Sequence, residues 1–322
     1  MRIRFWGTRG SIPVAADGHM IREKIRTALS LAEGRHFENE NQIELFIDES
    51  LRFPIRFGYG GDSSCVQIEG GGEYMVCDMG SGLRRFGQKI MTDYGCGLDH
   101  PKVYHFFMSH VHWDHIMGFP FFPPAYISGN TIRIYGGHST DVLEDAFRRQ
   151  QSSPCFPVDW NQLGADISFI HLEVDRWYEI NGFCVKLMRQ SHHGSSFGYR
   201  FEKDGKTVVY STDAEYKLQN EEETAAVEDF FRNADLVIFD AMYSLADMST
   251  IREDWGHSSN IVGVDLCLRA KVKHYCMFHH EPAYNDETLY TILQETKRYE
   301  KIVHENHYLK ISTAYDNLII DI

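Results

Sequence analysis

The sequence predicts an α/β fold in which two β-sheets are flanked by helices, an αββα sandwich. Short apolar, β-branched runs recur along the chain and stretches of helical spacing lie between them, without one continuous βαβ period. With 322 residues, of which 43% are hydrophobic and 24% charged, the chain can form one large core. We interpret residues 1–322 as a single domain.

The strands are predicted where four to six apolar residues run together between turn signals. They are residues 2–6, Cys65–Ile68, Tyr74–Cys77, Val103–Met108, Thr131–Tyr135, Cys184–Met188, Thr207–Ser211, Leu236–Phe239 and His274–Phe278. Helices are predicted after residues 78–82 and near Asp141–Gln150, Glu221–Arg232 and Asn260–Ala270.

A helical insertion is predicted at about residues 15–56, where the β pattern stops. Ile21, Ile25, Leu29 and Ala32 recur at helical spacing, and such a stripe needs burial because an isolated helix of this length is marginal in water. The flanking segments GTRGSIP and GGDSSC should lie close together. The insertion is interpreted as a surface hairpin, as a lid, or as the arm of a homodimer.

Composition limits the functional classes. The formal net charge is −14 and no dense Lys/Arg cluster occurs, which disfavours a large nucleic-acid partner. The sequence has neither the ~20 consecutive apolar residues of a membrane span nor an N-terminal secretory segment. We therefore expect a cytoplasmic protein with no membrane partner. Seven dispersed cysteines, without a CxxC pair, indicate reduced and mostly buried thiols.

The strongest local signal is His110-Val111-His112-Trp113-Asp114-His115, directly after the predicted strand Val103–Met108. Neutral imidazoles and a carboxylate are ligands that suit Zn²⁺ and related first-row ions. The alternative is a surface loop that happens to be rich in histidine. Four such residues in six positions favour a metal site.

This motif resembles the His-x-His-x-Asp-His signature of the metallo-β-lactamase superfamily. Further motifs of that family occur in order at Asp78, His192, Asp213 and His279. The resemblance covers residues 1–14 and about 58–322, and it implies a dinuclear centre, with Asp78 supporting the metal loop. It implies one site from His110, His112, His192 and Asp213, and a second from Asp114, His115, Asp213 and His279. We expect two divalent ions, Zn²⁺ first, with Mn²⁺ or Fe as alternatives.

Within the superfamily the chain resembles the tRNase Z-like and cyclic-nucleotide phosphodiesterase branch. The bridging acid is Asp213 rather than a cysteine, and Gly256-His257-Ser258-Ser259 precedes a predicted helix. Asp114 and His257 are predicted as catalytic residues, with His257 stabilising or protonating the leaving group. Asp240, which ends a strand, either orients a histidine or caps the structure.

Some positions keep two interpretations. His192 and His193 are adjacent, as are His279 and His280, and neighbours in an extended segment point apart, so one of each pair faces the metals. The motif spacing favours His192 and His279. The aromatic residues after the metal motif wall a base-sized pocket or belong to the core; they are Trp113, Phe119, Phe121, Phe122 and Tyr126.

The sequence therefore predicts a dinuclear metal-dependent hydrolase. A hydroxide shared by two cations can attack a phosphodiester near neutral pH, and the expected substrate is a small or cyclic nucleotide or a similar diester. A tRNA nuclease is disfavoured by the acidic balance and by the lack of a Gly/Pro-rich arm in residues 116–191. Hydrolysis of a carbonyl ester, lactone or thioester is the alternative. A non-hydrolytic di-iron protein is a third hypothesis, but such relatives usually have Glu at the position of His112.

Overall fold

The computed structural model describes residues 1–94, 101–248, 255–304 and 307–322. Two seven-stranded mixed sheets pack face to face, with helices on both outer surfaces. The strands are β1 Arg2–Gly7, β2 Cys65–Glu69, β3 Tyr74–Cys77, β4 Val103–Met108, β5 Thr131–Gly136, β6 Asp166–His171, β7 Trp177–Ile180, β8 Phe183–Gln190, β9 Ser196–Lys203, β10 Lys206–Ser211, β11 Leu236–Asp240, β12 His274–Phe278, β13 Lys310–Thr313 and β14 Ile319–Asp321.

The two sheets have similar topology. The first has the order β14-β1-β2-β3-β4-β5-β6, antiparallel up to β3 and parallel from β3 to β6. The second has the order β13-β12-β11-β10-β9-β8-β7, parallel from β13 to β10 and antiparallel beyond. Each sheet thus has a parallel half, whose strands end on one edge.

Most helices begin at a polar residue whose side chain caps the first turn. Ser139, Asn220, Ser259 and Asn285 each accept a hydrogen bond from a backbone N–H three residues on. The helices are α1 Gly18–Leu31, α2 Glu40–Leu45, α3 Phe53–Arg56, α4 Leu83–Tyr94, α5 Trp113–Ile116, α6 Thr140–Gln150, α7 Glu221–Phe231, α8 Leu245–Met248, α9 Asn260–Arg269 and α10 Asp286–Val303.

Three apolar clusters form the layers. One lies between the sheets, a second between the second sheet and α7, α9 and α10, and a third between the first sheet and α4 and α6. In β11, Leu236 and Ile238 face the other sheet while Val237 and Phe239 face the helices. Because β11 is buried on both faces, its sequence is apolar throughout rather than alternating. The predicted αββα sandwich is confirmed.

The elements missed by sequence reasoning carry weak patterns. Strands β6, β7, β9, β13 and β14 were not predicted; β13 and β14 have four and three residues. Helix α10 was also missed, because its buried positions include Thr296 and Glu300 beside Leu289 and Ile292. Such a mixed face lowers the hydrophobic periodicity on which prediction depends.

The insertion is helical, as predicted, and contains α1, α2 and α3. Its flanking segments do meet, since Thr8 N–H donates to Asp62 O at 2.8 Å and Val14 N–H donates to Gly61 O at 2.8 Å. The prediction that the α1 stripe becomes buried is wrong within this chain: Ile25 is 56% and Leu29 68% exposed. Helix α1 has no buried residue and is fastened to α10 by an ion pair between Lys24 and Asp286.

A cavity of about 930 Å³ lies between α1 and the sandwich. Its lining includes Met20 and Lys24 of α1 and Arg9 and Asp316 of the domain, but none of the seven predicted metal ligands. The contacts of α1 therefore do not support the lid interpretation.

Two further expectations concern cysteines and membranes. Four of the six described cysteines are buried, whereas Cys155 and Cys184 are exposed; Cys96 lies outside the described residues. Among the described residues, every helix is too short or too polar to cross a bilayer.

Candidate metal centre

The site lies at the edge where the central strands of both sheets end. Because parallel strands present their carboxyl ends on one edge, side chains that follow them converge. Asp78 follows β3, His110 is two residues beyond β4, Asp213 is two residues beyond β10 and His279 follows β12. His192 lies in the turn between β8 and β9.

Three of these strand ends turn sharply through the left-handed region. The φ angles are +57° at Asp78, +48° at Asp213 and +61° at His279. Asp and His adopt this conformation more readily than most non-glycine residues, and such backbone strain clusters at functional sites. The turn redirects each side chain away from the strand.

The first donor group contains His110, His112, His192 and Asp213, whose ligand atoms lie within 4.8 Å of one another. His192 Nε2 is 3.2 Å from His112 Nδ1 and 3.7 Å from Asp213 Oδ2. His110 Nε2 is 3.6 Å from the same Asp213 oxygen. Three imidazole nitrogens and one carboxylate oxygen thus face one point.

The second donor group contains Asp114, His115 and His279. His115 Nε2 is 3.2 Å from Asp114 Oδ2 and 3.3 Å from His279 Nε2. Both imidazoles approach Asp213 Oδ1 at 3.2 Å. Asp213 therefore presents Oδ2 to the first group and Oδ1 to the second, which is the geometry of a bridging carboxylate.

The donor set fits divalent metal ions. His110 is 1% exposed, yet its Nε2 has no hydrogen-bond partner among the described residues. A buried nitrogen without a partner is costly unless a ligand occupies it. Mixed imidazole and carboxylate donors suit Zn²⁺ and other first-row ions.

The electrostatics at His110 and Asp213 agree with this fit. Burial lowers the pKa of His110, and the nearby His115 lowers it further. Burial alone would raise the pKa of Asp213, but His279, His115 and His110 hold the pKa of this carboxyl well below its usual range. The cluster thus offers an unprotonated imidazole and an ionised carboxylate at neutral pH.

Asp78 orients His115 and belongs to neither donor group. It accepts hydrogen bonds from His115 Nδ1 at 2.8 Å, from Tyr210 Oη at 2.7 Å and from Ser109 N at 2.8 Å. His115 Nδ1 must donate to this carboxylate, so Nε2 is left as the atom that faces the second group.

A contact chain that sequence reasoning missed fixes His192. Its Nδ1 donates to Gly256 O at 2.7 Å, Gly256 N–H donates to Glu215 Oε2 at 2.8 Å, and Glu215 N–H donates to Ser191 O at 2.9 Å. Gly256 has φ +85°, and an added Cβ would lie 2.5 Å from His192 Nδ1. We call Ser191, His192, Glu215 and Gly256 the Glu215 clamp.

His257 lies beside both groups. Its Nδ1 is 2.8 Å from Asp240 Oδ2, and its ring stacks on His279 at 5.1 Å. Burial would lower the pKa of His257, but Asp240 raises it to about 9. Of the two interpretations of Asp240, the structure thus favours orientation of a histidine, although the same carboxylate also accepts from Ala214 N at 3.1 Å.

The structure distinguishes the two members of each adjacent histidine pair. His280 is buried and its Nε2 donates to Ala314 O at 2.9 Å, so it belongs to the packing, while His193 is exposed. Of the five aromatic residues after the metal motif, Phe119 and Phe122 are fully buried core and Tyr126 is half-buried. Trp113 and Phe121 are exposed.

Residues 78–280 match the family model described as the beta-lactamase superfamily domain. The match covers more than half of the chain, so the chain belongs to this family. The predicted superfamily and fold are confirmed.

The relatives agree with the predicted branch. The chain is 24% identical over 242 residues to Ribonuclease BN of Proteus mirabilis, a match that covers 60% of this chain and 76% of the relative.

Three solved structures share the fold. The metallo-beta-lactamase fold protein YhfI from Bacillus subtilis has a TM-score of 0.64 at 15% identity, covering 99% of this chain and 98% of that one. The short form of human tRNase Z has a TM-score of 0.59 at 17% identity, covering 100% and 99%. A diphosphatase from the PhnP family has a TM-score of 0.59 at 16% identity, covering 100% and 97%.

Proposed function

We propose that this chain is a dinuclear metal-dependent phosphodiesterase that acts on a small or cyclic nucleotide or a similar diester. One observation carries the proposal: two donor groups share the oxygens of Asp213, and the paired His257 lies beside both. Two cations with a protonated side chain beside them suit hydrolysis of an anionic ester.

The first metal ion would be held by His110, His112, His192 and Asp213. The second would be held by Asp114, His115, Asp213 and His279. When bound, two divalent ions, Zn²⁺ by donor type with Mn²⁺ or Fe as alternatives, supply Lewis acidity and a nucleophile near neutral pH.

His257 would act on the leaving group. Nδ1 is engaged by Asp240, so Nε2 is the atom available to the cleft. Asp240 raises the pKa of His257 to about 9, which favours a protonated ring near neutral pH. A buried donor held in this way can stabilise or protonate the departing oxygen.

The small substrate is supported by charge and by the shape of one segment. The net charge of −14 disfavours a long polyanion. Residues 116–191, all described, are occupied by β5 to β8, α6 and short turns rather than by a protruding arm. The names of the relatives, a ribonuclease and a diphosphatase among them, support phosphorus–oxygen bond hydrolysis as the reaction class.

The test combines metal analysis with a substrate panel. Purified protein should contain close to two first-row metal ions per chain and hydrolyse bis(p-nitrophenyl) phosphate or cyclic nucleotides in preference to p-nitrophenyl acetate, lactones and thioesters. Asp213→Ala should lower metal occupancy at both sites, while the exposed Asp145→Ala on α6 serves as the control. A folded protein that holds at most one ion, or that cleaves thioesters but no diester, would contradict the proposal.

A further inference from the structure

Exposed tryptophans adjoin the candidate metal centre. The chain has five tryptophans, and the two most exposed of them are Trp113 at 70% and Trp255 at 58%. Trp113 stands between His112 and Asp114, and Trp255 directly precedes Gly256 of the Glu215 clamp. Large aromatic side chains normally bury most of their surface, so an exposed indole between two candidate metal donors is unusual.

The position of Trp113 follows from its neighbours. It is the first residue of α5, in which Asp114, His115 and Ile116 are buried, whereas the preceding His112 is exposed. The Trp113 Cα is ~3.8 Å from the Cα of each flanking donor residue. The indole is therefore exposed directly beside His112, the candidate donor residue that is itself exposed.

Within the described part of the chain, nothing in the fold accounts for this side chain. Trp113 has no ring partner, cation contact or side-chain hydrogen bond there, in contrast to Trp160, which stacks on Phe119 and Phe169. Phe121, the other exposed aromatic of this segment, contacts Phe156 at 5.5 Å. The indole face of Trp113 is therefore open to a ligand.

We propose that Trp113 is a stacking platform for a planar aromatic substituent, of the nucleobase class, on the phosphodiester bound at the metal centre. This inference rests on the proposed function. A diester bound there would place a substituent near the indole, because Trp113 lies between two candidate donor residues, His112 and Asp114. Stacking of a base on an aromatic side chain corresponds to roughly 5- to 150-fold in affinity and tolerates different bases.

Because the platform would contribute to substrate specificity, its test compares two diesters that have the same leaving group. Thymidine 5′-(p-nitrophenyl phosphate) carries a base, and methyl p-nitrophenyl phosphate does not. The ratio of their kcat/KM values should fall by roughly 5- to 100-fold in Trp113→Ala, through KM of the thymidine diester, and recover largely in Trp113→Phe. Metal content is measured for each variant, because Trp113 adjoins two donor residues.

Trp177→Ala is the matched control. Trp177 is 47% exposed on β7 and lines a recess with Thr207 and Asp235, at the amino-terminal ends of β10 and β11 and away from the metal centre. This variant should keep the wild-type ratio. A binding measurement accompanies the kinetics: thymidine 5′-monophosphate should quench tryptophan fluorescence in the wild type and in Trp177→Ala, but not in Trp113→Phe.

The outcomes separate the two proposals. If the wild type cleaves both diesters and Trp113→Ala keeps their ratio, the platform is wrong and the proposed function stands. If neither diester is cleaved, the proposed function fails; unchanged quenching in Trp113→Phe then overturns the platform as well. A dimeric wild type that becomes monomeric in Trp113→Ala would show that a second copy covers the indole, which also overturns the platform.

Discussion

At the scale of single residues, the His257–Asp240 pair has the clearest chemical meaning. Asp240 fixes the ring of His257 through Nδ1 and raises its pKa to about 9, while the ring stacks on the candidate ligand His279. The pair therefore has the fixed orientation and the raised pKa that the proposed general acid would require.

His257→Ala should keep the metal ions but lose roughly 10²–10⁴-fold in turnover. The loss should be smaller for p-nitrophenyl diesters, because a good leaving group needs little help from an acid. Steady-state kinetics on p-nitrophenyl and alkyl diesters, with metal analysis of the same preparations, provide the measurement. Equal losses for both substrates would remove the acid role, and loss of a metal ion would make His257 a ligand.

The Glu215 clamp yields a second prediction at this scale. Glu215→Ala removes the acceptor of the Gly256 amide, so the carbonyl that fixes His192 Nδ1 is no longer held. Partners that orient a ligating histidine typically contribute 10–100-fold in metal affinity or activity. We expect a loss of roughly that size in Zn²⁺ affinity, measured by competition with a chelator.

Glu215→Gln keeps an oxygen that can accept from Gly256 N–H, so it should recover most of the affinity lost in Glu215→Ala. Glu222→Ala, an exposed carboxylate in the first turn of α7, is the matched control. Equal affinities for wild type and Glu215→Ala would show that Gly256 is held without the carboxylate.

The sequence predicts seven candidate donor residues, which the structure brings together in two groups, but it does not predict the contacts that orient them. His110 to His115 form a contiguous motif, and the remaining candidate donors follow strands in the order of the family motifs, so all seven candidates can be predicted from the sequence. Glu215 gave no such signal, because its role depends on a backbone amide 41 residues away. Contacts between separate loops leave no periodicity or motif in a single sequence.

At the scale of elements, the segment that follows the insertion contacts the buried carboxylate of Asp316. Asp316 accepts hydrogen bonds from Gly61 N at 3.0 Å and Asp62 N at 3.2 Å, and Arg85 is 4.0 Å away. Burial dominates its titration and raises the pKa of Asp316 from 3.8 to about 6. Asp316 therefore contacts the backbone that leads into β2. Burial of its ionised form costs free energy, so the stability of this contact depends on pH.

The sign of that dependence follows from the raised pKa. The folded chain binds the Asp316 proton more tightly than the unfolded chain, so the stabilisation is complete below the unfolded value of 3.8 and is lost as the pH rises through about 6. The loss corresponds to roughly 3 kcal/mol in the free energy of unfolding. Asp316→Asn should not show this loss of stability, because an amide side chain does not titrate in this pH range.

Urea unfolding of wild type and Asp316→Asn between pH 4 and 7.5 measures the difference. The free energy of unfolding of Asp316→Asn should rise relative to wild type across this interval, and the subtraction cancels the titration of groups that both proteins share. A difference that stays constant with pH would mean that Asp316 titrates normally.

Element prediction succeeded where burial imposes a pattern. Strands β4, β11 and β12 are buried almost throughout, so their apolar runs were read correctly. Strands β13 and β14 are too short to show a period, and they are specified by pairing with β12 and β1 from distant parts of the chain. Such pairing is a tertiary effect that local sequence does not encode.

At the scale of the whole molecule, the insertion is held to the sandwich mainly by contacts at the protein surface rather than by side chains buried in the core. Arg52 makes a bidentate pair with Glu287 at 3.0 and 3.1 Å, and Phe53 and Phe57 contact Tyr315. Helix α2 has no buried residue. The turn after it has one, Phe46, which packs against Phe37 within the insertion. The insertion thus contributes little to the three apolar clusters.

The exposed face of α1 leaves the dimer interpretation as a prediction. Burial of Ile25 and Leu29 against a second copy would require a mass above that of the monomer. Sizing of the wild type beside Ile25→Gln/Leu29→Gln tests this: we expect a dimer that weakens in the double variant. A monomeric wild type would leave the stripe as solvated surface.

Removal of residues 16–58, with Ala15 joined to Tyr59 through Gly-Ser-Gly, should leave a folded chain that binds the same amount of metal. The junction is short because Val14 and Gly61 are already hydrogen-bonded, and Tyr59 N–H keeps its acceptor Asp286 at 3.0 Å. We expect a lower Tm, since the ring contacts of Phe53 and Phe57 are lost, but unchanged kcat/KM for small diesters, because all seven candidate donor residues lie outside residues 16–58. Thermal unfolding, metal analysis and kinetics on small and bulky diesters are the measurements. Lower activity with intact metal content would show that the insertion shapes the substrate cleft after all, and loss of metal would mean that the sandwich needs the insertion to keep its strand ends in place.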